Sequence, residues 1–176
     1  MLDQKPLLHL IKGYKDRHID DLHFYQSLTE LFTKELGCTR ASLWLYADAS
    51  LSEIKTIDLF DCKKMIHSAG GVLTEAMFGP YFQAMRRDGR IDASDARQHP
   101  ATRCFNEAYF QPNDIYSLLD IGIRCNGHLV GVFCCEQVGE FRRWNDEQKA
   151  YLEQAGKLIT FALKPLLVYR FSELLQ

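Results

Sequence analysis

Asn126-Gly127 lies between two largely apolar runs, Ile115 to Cys125 and His128 to Val138. Both residues tolerate the positive φ that a two-residue type I′ turn demands, so the runs predict a β-hairpin. A two-residue loop pairs Cys125 with His128, and an uninterrupted ladder then sets Ile123 against Val130, Ile121 against Val132 and Leu119 against Cys134. That register makes one face a continuous apolar row. The other face holds Leu118, Gly122, Leu129, Gly131, Phe133 and Cys135, with Asp120 and Arg124 as polar exceptions. A hairpin apolar on both faces belongs in the middle of a sheet. The same register puts Glu136 on the face of Cys134 and Asp120 on the opposite one, so the two carboxylates are expected not to meet. Asp120 and Arg124 lie two pleats apart on one face and are expected to form an ion pair or a chain of polar contacts.

Helices are expected on either side of this hairpin in sequence. Leu22, Tyr25, Leu28, Phe32 and Leu36 recur at helical steps over Ile19 to Leu36, and Gly37 suits a left-handed cap. Cys38 to Tyr46 switches to period two, and a more polar strand follows over Ser52 to Phe60, its polarity suggesting an outer position. Between Asp61 and Gln111, Pro80 and Pro100 are each placed to open a short helix, Pro80 to Arg87 and Pro100 to Phe110. Asn145 and Gln148 have the spacing of a capping box, from which a helix with the seam Tyr151, Ala155, Leu158 and Ala162 begins. Pro165 is expected to bend or end it before an apolar helical pattern resumes over Leu166 to Leu175.

Composition narrows the function classes. The 21 basic and 23 acidic residues are interspersed, with a formal net charge of −2, and form no stripe to neutralise a phosphate backbone, so nucleic acid is not an expected partner. No apolar run approaches the ~20 residues of a membrane span, and the N-terminal segment lacks a cleavable signal, so a cytoplasmic location and no membrane partner are expected. Six cysteines (Cys38, Cys62, Cys104, Cys125, Cys134 and Cys135) show neither a CxxC pair nor zinc spacing. Buried thiols and no metal are expected. There is no G-x-S-x-G elbow, no G-x-x-x-x-G-K loop and no H-E-x-x-H.

The hairpin run Ser117-Leu-Leu-Asp120-Ile-Gly-Ile-Arg124, then Asn126-Gly-His-Leu-Val-Gly131-Val-Phe-Cys-Cys-Glu136, with Arg142-Arg143-Trp144 before a helix start, resembles the GAF domain over about Asp21 to Leu163. The likeness is to the subgroup attached to bacterial histidine kinases and cyclic-dinucleotide signalling proteins; upstream, Pro80-x-Phe82, Arg90 to Ala96 and Pro100-x-Thr102 fit the same pattern. The resemblance implies an α+β, profilin-like fold: a central antiparallel sheet with N- and C-terminal helices on one face and a pocket-forming helical and loop segment on the other. It divides the chain into an extension, 1–18, expected to be helical, a GAF-like domain, 19–164, and a C-terminal helical extension, 165–176. It further implies a homodimer through the terminal helices.

On that basis the expected function is small-molecule sensing or regulation in bacterial signal transduction, without catalysis, with any output passed to a separate effector chain. The middle segment offers aromatic surface and both charges, so Tyr81, Phe82, Asp95, Arg97, Arg103 and Tyr109 are the candidate ligand-binding residues. The competing reading makes the aromatics plain core, the arginines a solvated face and Asp95 a loop-shaping carboxylate. Asp120, Arg124, Asn126, Gly127, Glu136 and Trp144 are read as structural. No cofactor is expected: the Asn-Lys-Phe-Asp-Glu set of cyclic-nucleotide-binding members is absent, Cys104 is followed by Phe105 rather than the His of bilin-attaching members, and His67 or His99 as a lone haem ligand is the weaker reading. Two alternatives stand beside the sensor: a thiol enzyme of the free methionine-R-sulfoxide reductase type using Cys62 and Cys104, and a dimerisation domain with a filled pocket.

Overall fold

The computed structural model describes residues 2–172, apart from the side chain of Arg170; the end of the expected helical pattern, 173–175, lies outside the described residues. Chain order is α1 (Lys5–Lys15), α2 (Asp21–Leu36), β1 (Arg40–Tyr46), β2 (Glu53–Asp61), β3 (Ile66–Ser68), β4 (Val72–Thr74), α3 (Glu75–Asp88), β5 (Arg90–Ala93), a 3₁₀ turn (Arg103–Phe105), a π-helical turn (Asn106–Phe110), β6 (Ile115–Cys125), β7 (His128–Val138) and α4 (Asp146–Arg170). The strands form one antiparallel sheet in the order β3-β2-β1-β7-β6-β5, with β4 also paired to β2. The hairpin β6–β7 occupies its interior, as its two apolar faces require.

The helices α1, α2 and α4 cover one face. Asp20 caps α2 by accepting from the His23 amide at 2.8 Å, and Gly37, at φ 61°, closes it. Its buried stripe is Phe24, Leu28, Phe32 and Leu36, with Phe32 edge-on to Phe133 of β7 at 4.9 Å. Leu22, expected on that stripe, is 59% exposed, because Phe24 takes the inward place and stacks on Tyr14 of α1. The capping box of α4 forms with both hydrogen bonds, and the helix passes through Pro165 without ending: Leu163, Leu167 and Phe171 continue one buried row across the proline. Tyr151, Ala155 and Ala162 of the expected dimer seam are buried within their own chain.

The hairpin turn forms as expected, with φ 51° at Asn126 and 83° at Gly127 and Cys125 opposite His128. Beyond it the expected register is wrong. Arg124 pairs with Leu129 but Ile123 pairs with Gly131, so Val130 is an extra residue, a β-bulge in β7. From Ile123 to Ser117 each pair slips by one, with Ile121 facing Phe133, Asp120 facing Cys134 and Leu118 facing Glu136, and a second irregularity then sets Ile115 against Val138. Because side chains alternate, the slip turns the distal part of β7 over relative to the expectation. Phe133 and Cys135 join the helix-covered face, and Cys134 and Glu136 share the opposite face with Asp120. Gly131 marks the place: a Cβ there would lie 2.5 Å from the Trp44 carbonyl oxygen and 2.8 Å from a Leu45 methyl, a closeness to β1 that only glycine permits.

The middle segment roofs this second face. α3 breaks at Phe78 (φ −129°, ψ 41°), and Pro80 stands in the first turn of its second part, where its missing N–H costs little. Pro100 to Phe110, expected as one short helix, instead tightens into the 3₁₀ turn and widens into the π turn. The short strands β3, β4 and β5 were not expected.

Candidate functional site

Between sheet and roof lies a cavity of about 50 Å³, room for a few water molecules. Its floor is Leu118 and Asp120 of β6 with Cys134 and Glu136 of β7; Trp44 and Ile54 come from β1 and β2, and Leu73 from β4. The roof is Tyr81 of α3 with Phe105, Tyr109 and Phe110. Phe105 packs edge-on to Tyr81 at 5.1 Å and to Phe110 at 5.7 Å, which fixes the aromatic ceiling.

Two buried carboxylates dominate the floor, Asp120 and Glu136, each 2% exposed. The Tyr81 hydroxyl donates to Asp120 Oδ2 at 2.5 Å, while Asp120 Oδ1 is buried without a hydrogen-bond partner. The Tyr109 hydroxyl donates to Glu136 Oε2 at 3.2 Å and accepts from Arg40 Nη2 at 3.2 Å. Arg40 Nε is 3.4 Å from Glu136 Oε2 and 3.9 Å from Asp61, close enough for attraction but not aligned as a hydrogen bond to either. The Cys134 thiol sits between the acids, 3.8 Å from Glu136 Oε1.

Burial sets the protonation of this cluster. It lifts Asp120 from 3.8 to about 7, against the opposing pull of the nearby Cys134 thiol and the Tyr81 hydroxyl. It lifts Glu136 too, with Arg40 pulling the other way. Burial and then the two carboxylates hold the Cys134 thiol well above its ordinary range. Tyr81 and Tyr109 are likewise raised, by burial first and then by Asp120 and Glu136 respectively. At neutral pH the site therefore has phenols and a thiol as proton donors, and one acid near its midpoint.

Of the candidate ligand-binding residues, Tyr81 and Tyr109 line this cavity and the others lie elsewhere. Phe82 is fully buried beside Tyr46. Asp95 accepts from the Gln98 amide at 3.2 Å and shapes its own loop. Arg97 donates to the Ile115 carbonyl at 2.8 Å with its guanidinium over Tyr116, and Arg103 is exposed. The expected Asp120–Arg124 link does not form, since Arg124 turns outward and donates to the Gly127 carbonyl at 3.0 Å. Trp144 is buried under the Arg142 guanidinium, which also donates to the Leu36 and Gly37 carbonyls ending α2, so the Arg-x-Trp motif joins the hairpin exit to that helix. Sequence reasoning missed Arg40, Trp44 and Cys134 as lining or supporting residues, and it placed Asp120 and Glu136 on opposite faces. The signal that marks the bulge is Gly131 within a strand.

Neither cysteine expected of a thiol enzyme carries an activating environment. Cys62, lying against α2 with its thiol toward the Cys38 carbonyl, and Cys104, in the roof with its thiol toward the Ala101 carbonyl, occupy opposite faces of the sheet. Burial raises both thiols. His67 lies between two carboxylates, its Nδ1 2.9 Å from Asp58 and its Nε2 3.0 Å from Glu30, and the His99 ring accepts from the Ala101 amide at 3.2 Å; neither ring lines the cavity.

The family model for the GAF domain matches residues 22–163. No curated protein matches the chain. Among solved structures, the phycoerythrobilin-bound GAF domain of a cyanobacterial phytochrome is similar at 13% identity and a TM-score of 0.73, covering 93% of this chain and 95% of that one. The free methionine-R-sulfoxide reductase from Neisseria meningitidis, solved with its substrate, is similar at 16% identity and 0.67, covering 92% and 87%. The GAF domain of a phosphoenolpyruvate-protein phosphotransferase from Coxiella burnetii is similar at 16% and 0.60, covering 93% and 98%. Likenesses at this identity speak to the fold.

Proposed function

Since the chain belongs to the GAF-domain family, we propose that it is a small-molecule-sensing regulatory module of signal transduction that binds its ligand without transforming it. The observation that supports this most is the cavity between sheet and roof, whose aromatic walls meet two buried carboxylates, the mixture by which small-ligand sites combine fit with orientation. Its thiol, Cys134, is held protonated between those carboxylates, the opposite of what a nucleophile needs.

A route from cavity to helices exists in the packing. β7 presents Cys134 to the cavity and the next side chain back, Phe133, to Phe32 of α2, so a ligand that shifts the floor acts directly on the helical layer. The output then passes to a separate effector chain. In this reading a homodimer uses the outward side of α4, where Phe161 is 65% exposed, because most of the seam is occupied within the chain.

Native mass spectrometry of freshly purified protein tests the binding reading: a retained small molecule, or one captured from a metabolite mixture with a rise in melting temperature, is expected. Steady turnover of free methionine sulfoxide with a dithiol reductant would replace it by the thiol-enzyme reading, for which the position of Cys134 on the cavity is the one favourable observation.

A further inference from the structure

The charges around the cavity do not balance. Three buried carboxylates, Asp61, Asp120 and Glu136, share one buried cation, Arg40. Asp61 also accepts from the Lys63 and Lys64 amides, both at 3.1 Å, and has the exposed Lys64 ammonium at 4.0 Å, while Glu136 has Tyr109 as well as Arg40. Asp120 has a phenol on one oxygen, and among the described residues no cation stands within ion-pair distance of it. The Cys134 thiol has one proton to offer and lies between two acids, so it cannot satisfy both. Asp120 Oδ1 thus remains a buried acceptor on the cavity wall, a costly arrangement unless something else donates to it.

We propose that the cavity binds a small protonated amine, its ammonium group donating to Asp120 Oδ1 and its short carbon body held against Trp44, Tyr81 and Phe105. This inference rests on the sensor reading and names its ligand class. An ammonium group has three donors and one charge, which matches the missing cation and the unpartnered oxygen together. The aromatic walls favour a cation over an anion, since ring faces carry negative potential. Carboxylate and phosphate ligands would meet a floor that already lacks positive charge. The size of the cavity limits the body to a few carbon atoms unless the roof opens. The titratable groups facing Asp120 are Tyr46 from β1, Tyr81 from α3, and Cys134 and Glu136 from β7, none of them a cation.

Calorimetric titration of the whole chain with n-propylammonium chloride, set against n-propanol as the neutral isostere, tests this. The amine is expected to bind about 10- to 100-fold more tightly than the alcohol, the difference a charged hydrogen bond makes. At pH 7, near the Asp120 midpoint, titrations in two buffers of different ionisation enthalpy should show about half a proton released on binding, as the ammonium takes the place of the Asp120 proton. Asp120→Asn, confirmed folded by its unfolding curve, should lose the preference for amine over alcohol; the proton count on the unaltered protein needs no variant. Propanol binding as tightly as the amine, or a retained molecule with no cationic group, overturns the amine assignment and leaves the sensor reading standing. Binding of neither probe, with no small molecule retained or captured, removes both.

Discussion

Asp120→Asn is also a test of stability, with a sign that distinguishes a buried unpaired acid from a well-paired one. The carboxyl titrates near 3.8 in an ordinary setting and about 7 in the folded chain, chiefly through burial. A raised carboxyl pKa means that the folded state binds the proton more tightly, so its contribution to stability is fully present below pH 3.8 and declines as pH rises to about 7. At 1.36 kcal/mol per pH unit the total loss is about 4 kcal/mol, of which about 2–3 kcal/mol falls between pH 5 and pH 8. Asparagine has nearly the same shape, keeps an oxygen for the Tyr81 hydroxyl and never ionises.

The assay is urea unfolding of both proteins from pH 5 to pH 9. The stability of the variant minus that of the unaltered chain should climb by about 2–3 kcal/mol from pH 5 to pH 8 and flatten beyond. All other groups cancel in that difference unless they touch Asp120. Glu136 acts on Asp120 by charge as well as through the shared Cys134 thiol, so the curve reports Asp120 with a smaller contribution from Glu136. A difference that stays constant with pH would mean that folding does not penalise the Asp120 anion, and the charge argument for the cavity would fall with it.

Three further outcomes follow from the packing. Gly131→Ala should lower stability by about 1–3 kcal/mol in denaturant unfolding, because the added carbon meets a backbone oxygen of β1 that has no room to move; an unchanged midpoint would remove the close approach as the reason for the bulge. Burial works against the charge on His67, but its hydrogen bonds to Asp58 and Glu30 outweigh it and raise its pKa, so its stabilisation is present below about pH 6.5 and lost as pH climbs through the folded value. His67→Gln should therefore cost more melting temperature at pH 5.5 than at pH 8.5, and an NMR titration of the ring giving an ordinary value would contradict this. Arg142→Ala removes the guanidinium from the Leu36 and Gly37 carbonyls, leaving Leu36 only the Gln148 amide at 3.0 Å, and uncovers Trp144; it should cost about 1–2 kcal/mol by thermal unfolding, with Arg142→Lys recovering only part.

Much of the framework is legible from local chemistry. Asn126-Gly127, the Asn145 capping box and Gly37 each announce themselves through a backbone conformation that few residues supply, and each appears where expected. The middle segment is far less legible. β3, β4 and β5 span only three or four residues, too few for a period to show, and their pairing is decided by partners far away in the chain. The π turn at Asn106–Phe110 arises from fitting Phe105, Tyr109 and Phe110 onto the floor, which no local pattern encodes.

The cavity floor depends on one residue. With an uninterrupted ladder, Glu136 belongs to the helix-covered face and Asp120 stands without a second acid near it. The Val130 bulge reverses that, and the reason lies outside the hairpin: β1 approaches so closely at Trp44 and Leu45 that position 131 admits no side chain. A hairpin read alone yields the shortest regular ladder; a hairpin read with its neighbour must accommodate a glycine that the neighbour requires. Gly131 is thus both the visible sign of the bulge and the residue that the close approach demands. The same slip that brings Cys134 and Glu136 beside Asp120 sends Phe133 to Phe32, so the geometry that assembles the acidic floor also connects it to the helices. The cavity floor and the contact with α2 are two faces of one strand, and a change that regularised β7 would dismantle both together.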